Sequence, residues 1–266
     1  MRLVSFEGGF GRVEDGKVVP MGPSLLDWLT FGTQSIATGT PRPLAEVKLL
    51  APVPRPGKII CVGLNYRDHA KETGKAVPTE PILFPKFANS VVGPGAEVLV
   101  PPEADEIDYE AELAVVIGRR ASRVAVADAL DHVAGYACAN DVSSRSLQFR
   151  TGQWLTGKAI DTFLPLGPYL VTADEVPDPQ ALGIRCLVND EPRQDSSTSE
   201  MVFGVAELVS YTSRTLTLEP GDLLVTGTPS GVGMAADPPR FLGPGDRMRV
   251  EIDGLGQLDN TVRAGS

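Results

Sequence analysis

The chain has 266 residues, and its 34 acidic side chains outnumber its 24 lysines and arginines, which gives a formal net charge of −10. An acidic chain without a basic block is not expected to bind nucleic acid. Its apolar fraction of 42% is that of an ordinary soluble globular protein and excludes extensive disorder. Apolar runs such as residues 113–117 fall far short of the roughly 20 residues in a membrane-spanning helix, so no membrane partner is expected.

Cysteine usage bears on the cellular compartment. The three cysteines, Cys61, Cys138 and Cys186, are odd in number and too widely spaced for a CxxC motif. We interpret them as reduced, buried thiols and expect a cytoplasmic protein. The first 16 residues include three acidic side chains and lack the apolar segment of a signal peptide, which favours the same location.

The N-terminal segment is predicted to form a short β-meander over residues 2–20. Apolar and polar residues alternate there, and glycines after residue 7 and at Asp15-Gly16 supply the turns. A short helix is predicted at 25–29. Five prolines within 41–56 then mark a boundary. The predicted domains are a small N-terminal β-rich domain, 1–56, and a larger domain, 57–266.

The larger domain is predicted to be rich in strands. The chain contains 28 glycines and 23 prolines, well above their usual joint share of about 12%. This excess indicates many turns between short strands, and we predict an α+β fold. The predicted elements are strand 58–62, helix 66–73, strand 107–118, helix 124–134, strand 136–139, a longest helix begun by a capping box at 197–200, strands after turns at 219–222 and 243–246, and a terminal hairpin turned at 253–254.

Two glutamates near the start of predicted strand 107–118 are the first chemical signal. Glu110 and Glu112 project from one face of a strand, with Cα atoms about 6.5–7 Å apart. They could simply lie on a solvated sheet face. Alternatively, a cation holds them together, because two adjacent carboxylates otherwise repel each other. Asp141, after another strand, could complete the site, and oxygen ligands favour Mg²⁺, Mn²⁺ or Ca²⁺ over zinc.

A histidine–glutamate pair is the second signal. His69 and Glu72 are three residues apart on a predicted helix and therefore share one face. The carboxylate could orient the imidazole and raise its basicity, although a surface pair with no function has the same spacing. Cations and donors also follow Asp141. Arg145 and Gln148 share a helical face and Lys158 lies further on, and each is equally consistent with an ordinary ion pair or a surface position.

Six segments of the larger predicted domain carry a further signal. They are VGLNYRDHAKE (62–72), ILFPKFANSVVGPG (82–95), DYEAELAVVIG (108–118), GYACANDVSSR (135–145), GKAIDTFLPLGP (157–168) and LEPGDLLVTGTPSGVG (218–233). The glycine-rich loop 227–233 in the last segment matches neither of the common nucleotide-phosphate motifs. Together the six segments resemble the fumarylacetoacetate hydrolase family, and the similarity covers about residues 57–262. The family implies a mixed β-sandwich roll and a homodimer.

The resemblance also implies a role for ten residues and a Mg²⁺ or Mn²⁺ cofactor, with Ca²⁺ as a third candidate. His69 and Glu72 match a catalytic dyad carried on a lid segment. The implied metal ligands are Glu110, Glu112 and Asp141; the catalytic residues are His69, Glu72 and Lys158; and the substrate-binding residues are Arg145, Gln148, Thr228 and Lys86.

The expected activity is hydrolysis of a C–C bond in a 2,4-dioxo acid, such as an acylpyruvate or a diketo-deoxy sugar acid. Such a reaction releases a carboxylic acid and pyruvate or its analogue. The alternative is isomerisation, tautomerisation or oxaloacetate decarboxylation, because all these reactions pass through an enolate and use the same residues. A metal-stabilised binding protein would keep the glutamates without a working His69–Glu72 pair.

Overall fold

A computed structural model describes residues 1–32 and 39–265 of the chain. Strands dominate the described residues, as predicted. They are β1 Arg2–Phe6, β2 Gly9–Glu14, β3 Lys17–Gly22, β4 Arg42–Pro43, β5 Leu49–Leu50, β6 Ile59–Gly63, β7 Ile82–Lys86, β8 Val91–Val92, β9 Glu97–Val100, β10 Ile107–Asp108, β11 Ala111–Ile117, β12 Val133–Asn140, β13 Ser143–Ser144, β14 Leu164–Thr172, β15 Gly183–Val188, β16 Glu191–Ser197, β17 Leu223–Val225, β18 Arg247–Ile252 and β19 Gly256–Ala264.

The helices are short and lie between the strands. The first is capped as its sequence suggests, because the Ser24 hydroxyl accepts from the backbone N–H of Asp27 and Gly32 ends it with a φ of 60°. The α-helices are α1 Leu25–Phe31, α2 Arg67–Glu72, α3 Arg145–Gln148, α4 Leu155–Lys158 and α5 Val205–Ser213. The 3₁₀ helices are Leu44–Glu46, Ala88–Ser90, Val126–His132, Ala173–Glu175, Thr198–Glu200 and Gly233–Ala235.

Twelve strands form one large sheet. Ten of them follow one another in the order β4-β3-β2-β1-β14-β12-β11-β17-β6-β7, while β5 pairs with β1 and β8 pairs with β14. Most neighbours are antiparallel, whereas β17 and β6 are parallel. The N-terminal meander joins this sheet through pairing of β1 with β14. A sheet therefore connects the two segments that we assigned to separate domains, and the division at residue 57 stays a prediction.

A second sheet of five strands, in the order β16-β15-β18-β19-β9, packs on the first. The central strand β11 is buried along its whole length, and its two faces differ as the sequence alternation predicts. Leu113 and Val115 pack in the cluster that includes Cys186 and Val250 of the second sheet. Ala114 and Val116 pack in a separate cluster on the opposite face. Residues near the start of β11 are consequently held between two packed layers.

Two predicted helices differ from the structure. The Ser197 hydroxyl accepts from the backbone N–H of Ser199 and begins only a 3₁₀ turn, after which the chain is extended. The longest described α-helix instead begins after Gly204, whose N–H donates to the Glu207 carboxylate at 2.8 Å. The capping-box pattern at 197–200 therefore predicted the start of the longest helix at the wrong position. The helix predicted at 124–134 is a 3₁₀ helix without a side-chain cap at its start.

Other sequence expectations concern burial and the membrane. All three cysteines are buried and free, as predicted. Among the described residues, every helix is too short or too polar to span a bilayer.

Candidate metal and acid–base site

Three carboxylates meet where β11 begins and β12 ends. Glu110 lies just before β11, Glu112 lies within it, and Asp141 follows β12. Pairing of Ala111 with Asn140 puts the two strand ends side by side. One oxygen from each carboxylate lies within 4.8 Å of the others, and all three side chains are buried. The structure thus brings together the predicted ligand set and excludes the alternative of a solvated sheet face.

Two of these carboxylates are neutralised by buried cations. Lys158 Nζ contacts Glu110 Oε2 at 2.5 Å and Asp141 Oδ2 at 2.8 Å. Lys86 Nζ contacts Asp141 Oδ1 at 2.5 Å, and Arg145 Nη2 contacts Glu110 Oε1 at 2.7 Å. Burial disfavours ionisation of Glu110, but Lys158 and then Arg145 outweigh burial and lower its pKa to about 2. Glu110 is therefore held in its ionised form.

The third carboxylate differs. Glu112 Oε2 accepts from the backbone N–H of Gly227 at 2.5 Å. Among the described residues, Glu112 forms no ion pair with a lysine or arginine. Burial, then Asp141 and Glu110, raise the pKa of Glu112 well above its usual value. Glu112 thus lacks a cationic side chain of its own among the described residues, and a divalent ion held by these oxygen donors would supply the missing partner.

The predicted dyad lies on helix α2. His69 Nδ1 and Glu72 Oε2 are 3.1 Å apart. The second oxygen of Glu72 accepts from the backbone N–H of Gly231 at 2.7 Å, which anchors the helix to the glycine-rich loop. Asp68 adds an anchor, because its carboxylate accepts from the Ser196 hydroxyl at 2.6 Å. The Glu72 contact occupies Nδ1 of the imidazole and leaves Nε2 available to a ligand.

A cavity joins His69 to the carboxylate cluster. Among the described residues, Glu72 and Asp141 do not line this cavity. His69, Glu110, Glu112 and Lys158 all line it, and so do aromatic side chains of Phe84, Phe149 and Trp154. Of the predicted substrate-binding residues, Arg145, Gln148 and Thr228 line this cavity. Lys86 is buried beside Asp141 and donates to the Val142 carbonyl, and it is not among the cavity-lining residues described.

Two lining groups are already oriented by the protein. Arg145 Nη1 donates to Gln148 Oε1 at 2.9 Å. The Gln148 oxygen is therefore turned toward Arg145, and its amide nitrogen remains as a donor. Burial lowers the pKa of Arg145, but Glu110 and Asp108 outweigh it and raise the pKa overall.

Asp108 is a site residue that the sequence did not reveal. Its carboxylate accepts from Arg145 Nε at 2.9 Å and from the backbone N–H groups of Gly233 and Met234 at 2.7 and 3.0 Å. Asp108 is completely buried. Its partners are far away in sequence, so the only available signal was an acidic residue beside the Glu110–Glu112 pair. Asp108 therefore holds in place both the Arg145 guanidinium and the backbone turn at Gly233 and Met234.

Replacing Asp108 with asparagine is expected to lower the free energy of unfolding by about 1–3 kcal/mol, because a single amide oxygen cannot accept from all three of these donors and leaves buried donors unpaired. Urea denaturation checks this effect. Asp105→Asn, at an exposed position three residues earlier, is the matched control and should stay within about 0.5 kcal/mol of wild type. Equal stability of the two variants would contradict this structural role of Asp108.

The sequence of the chain is similar to those of known proteins. The profile of the fumarylacetoacetate hydrolase C-terminal region matches residues 58–263. A Bos taurus protein named oxaloacetate tautomerase FAHD2A, mitochondrial, is 51% identical over 237 residues, which are 88% of this chain and 76% of the relative. These matches cover the larger predicted domain and confirm the resemblance seen in the motifs.

Two solved structures agree in fold over nearly the whole chain. A fumarylacetoacetate hydrolase from Exiguobacterium antarcticum has a TM-score of 0.90 and 38% identity, with 99% of each chain covered. A 2-hydroxyhepta-2,4-diene-1,7-dioate isomerase from Mycobacterium marinum has a TM-score of 0.85 and 35% identity, with 99% of this chain and 98% of that chain covered. The predicted strand-rich α+β fold is thereby confirmed, and the homodimer stays a prediction.

The expected cytoplasmic location is wrong. The names of the matching bovine, human and rat relatives all place those proteins in mitochondria. Unpaired cysteines exclude a disulfide framework, but they do not distinguish one compartment with reduced thiols from another. The expectation therefore went beyond what the cysteines could show.

Proposed function

Because the chain belongs to the fumarylacetoacetate hydrolase family, we propose that it is a metal-dependent enzyme that interconverts the enol and keto forms of a 2-oxo dicarboxylic acid such as oxaloacetate. The observation that carries this proposal is His69, paired with Glu72 at 3.1 Å, on a cavity shared with Glu110, Glu112 and Lys158. The names of the bovine tautomerase and the mycobacterial isomerase favour this reaction over C–C hydrolysis.

The cofactor is proposed to be Mg²⁺ or Mn²⁺, held by Glu110, Glu112 and Asp141. These are hard oxygen ligands, and Ca²⁺ also accepts such a set. Each carboxylate oxygen that accepts from Lys158 or Lys86 retains a second lone pair. When bound, a divalent ion supplies Lewis-acid stabilisation of negative charge on a ligand oxygen.

The protein side chains account for the proton transfers. Tautomerisation moves one proton between the carbon beside the ketone and the ketone oxygen. In the keto-to-enol direction His69 Nε2 is proposed to remove the carbon-bound proton, with Glu72 stabilising the imidazolium that forms. The imidazolium then gives this proton to the enolate oxygen, and the reverse reaction returns it to carbon. Lys158 has two of its three N–H groups on Glu110 and Asp141. The third is left to donate to the oxygen on which charge develops.

The charge state of Lys158 supports that role. Burial lowers its pKa, but Asp141 and then Glu110 outweigh burial, and the overall pKa is raised. The amine is thus cationic and can donate a hydrogen bond at neutral pH. Arg145 and Gln148 are proposed to bind a ligand carboxylate, since both side chains line the cavity and the Gln148 amide nitrogen is left to donate.

Hydrolysis of a 2,4-dioxo acid is the second candidate, because a solved relative at TM-score 0.90 is named as a fumarylacetoacetate hydrolase. An assay of freshly dissolved enol-oxaloacetate with Mg²⁺ distinguishes the reactions. Tautomerisation removes the ultraviolet absorbance of the enol without forming pyruvate. Decarboxylation of oxaloacetate releases pyruvate and carbon dioxide, and hydrolysis is assayed by pyruvate release from an acylpyruvate. Absence of any accelerated enol loss would refute the proposed activity.

Metal removal gives a further prediction. Dialysis against a chelator should abolish most of the catalysed tautomerisation, because the charge-stabilising cation is lost. Mg²⁺ or Mn²⁺ should restore the rate, which is measured as enol absorbance against time. A sample dialysed without chelator is the control. Full activity of the chelated protein would exclude the metal from the mechanism.

A further inference from the structure

We propose that Gln194 is a positioning residue that makes the Thr228 hydroxyl a hydrogen-bond acceptor toward the cavity. The ligand atom that meets Thr228 must then carry a proton. This inference rests on the proposed function. For that substrate, Thr228 binds the enol hydroxyl in preference to the ketone oxygen.

Gln194 reaches across from the second sheet to the start of β11. It lies in β16 and is 1% exposed. Its Oε1 accepts from the backbone N–H of Ala111 at 2.8 Å, and its Nε2 donates to the Pro229 carbonyl at 2.9 Å. A backbone N–H can only donate and a carbonyl can only accept, so these two partners fix which end of the amide is nitrogen.

That orientation of the Gln194 amide determines whether the Thr228 hydroxyl donates or accepts a hydrogen bond toward the cavity. The same Nε2 donates to Thr228 Oγ1 at 2.8 Å. The hydroxyl proton in turn goes to the Ala111 carbonyl at 3.0 Å, which can only accept. A hydroxyl has one proton and two lone pairs. Among the described partners of Thr228, one lone pair therefore remains unused, and this residue lines the cavity.

The consequence is a cavity with two walls of opposite hydrogen-bond character. Gln148 offers its amide nitrogen as a donor because its oxygen is turned toward Arg145. Thr228 presents an acceptor because Gln194 and Ala111 occupy its other positions. A ketone or carboxylate oxygen would face the Thr228 lone pair with another lone pair, whereas an enol O–H completes the bond.

Binding of two inactive ligands tests the proposal. Malate and 2-fluorosuccinate differ by a hydroxyl and a fluorine of similar size, and only malate can donate to Thr228. Titration calorimetry with Mg²⁺ should show tighter binding of malate to the wild type. Thr228→Val should reduce the malate-to-fluorosuccinate affinity ratio by about two- to tenfold, the value of one hydrogen bond. Thr228→Ser should retain the ratio. Because both ligands are titrated into every variant at the same Mg²⁺ concentration, a change in the ratio between variants reports on Thr228.

Gln194 is tested by the same ratio. Gln194→Met removes the donor that fixes the hydroxyl, so the ratio should fall; a purely structural role would weaken both ligands equally and leave the ratio unchanged. If Gln194→Met does not fold, Gln194→Glu provides the measurement, because a carboxylate still accepts from Ala111 but cannot donate to Thr228.

The outcomes are separable from those of the proposed function. An unchanged ratio in Thr228→Val, or no preference for malate in the wild type, would overturn the inference. An unchanged ratio in a folded Gln194 variant would overturn the role of this residue. The ratio requires no turnover, so a protein that fails the tautomerase assay can still confirm the polarity of Thr228.

Discussion

Replacing His69 with alanine is expected to lower kcat for tautomerisation by about 10²–10⁴-fold, the usual contribution of a positioned general base. The imidazole lies in the cavity and its described side-chain contact is with Glu72. Loss of this single contact at the cavity surface should change the free energy of unfolding by no more than about 1 kcal/mol. Steady-state kinetics at saturating Mg²⁺, with urea denaturation alongside, measure both quantities.

The chain offers a matched control for this experiment. His132 is the only other histidine in the sequence, and its described ring contact is with the Arg119 carbonyl, away from the cavity. His132→Ala should therefore retain wild-type kcat. Glu72→Gln should give an intermediate loss, because the amide still holds the helix position but cannot stabilise an imidazolium. Wild-type kcat in His69→Ala would eliminate the dyad from the mechanism.

The carboxylate site could be predicted because its geometry is local and periodic. Alternation along 107–118 identified the two faces of β11, and the structure places those faces in separate apolar clusters. Two residues on one face of a strand must project together. Asp141 followed because it ends a neighbouring strand. Motif resemblance then supplied the roles that spacing alone left open.

Asp108 and Gln194 could not be predicted in the same way. Asp108 binds backbone groups 125 and 126 residues further along the chain. Gln194 contacts Ala111 from 83 residues away. Neither set of partners has a local pattern, because the packing of the two sheets creates them. The capping box at 197–200 failed for the opposite reason, since a local pattern was present and the following extended segment overrode it.

Lys158 pairs with two buried carboxylates and is also proposed to donate to the ligand, so its removal should affect both stability and turnover. Its amine lies between Glu110 and Asp141, and all three side chains are buried. Lys158→Met leaves two buried carboxylates without this cation, which is expected to lower the free energy of unfolding by about 3–5 kcal/mol. Loss of the donor to the developing oxygen charge should lower kcat by about 10²–10³-fold.

Lys86→Met separates these two effects. Lys86 is equally buried and contacts Asp141 at 2.5 Å, but it donates its other described bond to the Val142 carbonyl. Its replacement should have a similar cost in stability, because Asp141 again loses a buried cation. With Mg²⁺ saturating, kcat should fall far less than in Lys158→Met, since Lys158 remains to face the ligand. Urea denaturation and enol-decay kinetics on both variants provide the comparison. Equal losses of kcat would mean that Lys158 acts only through the charge of the cluster and makes no contact with the ligand.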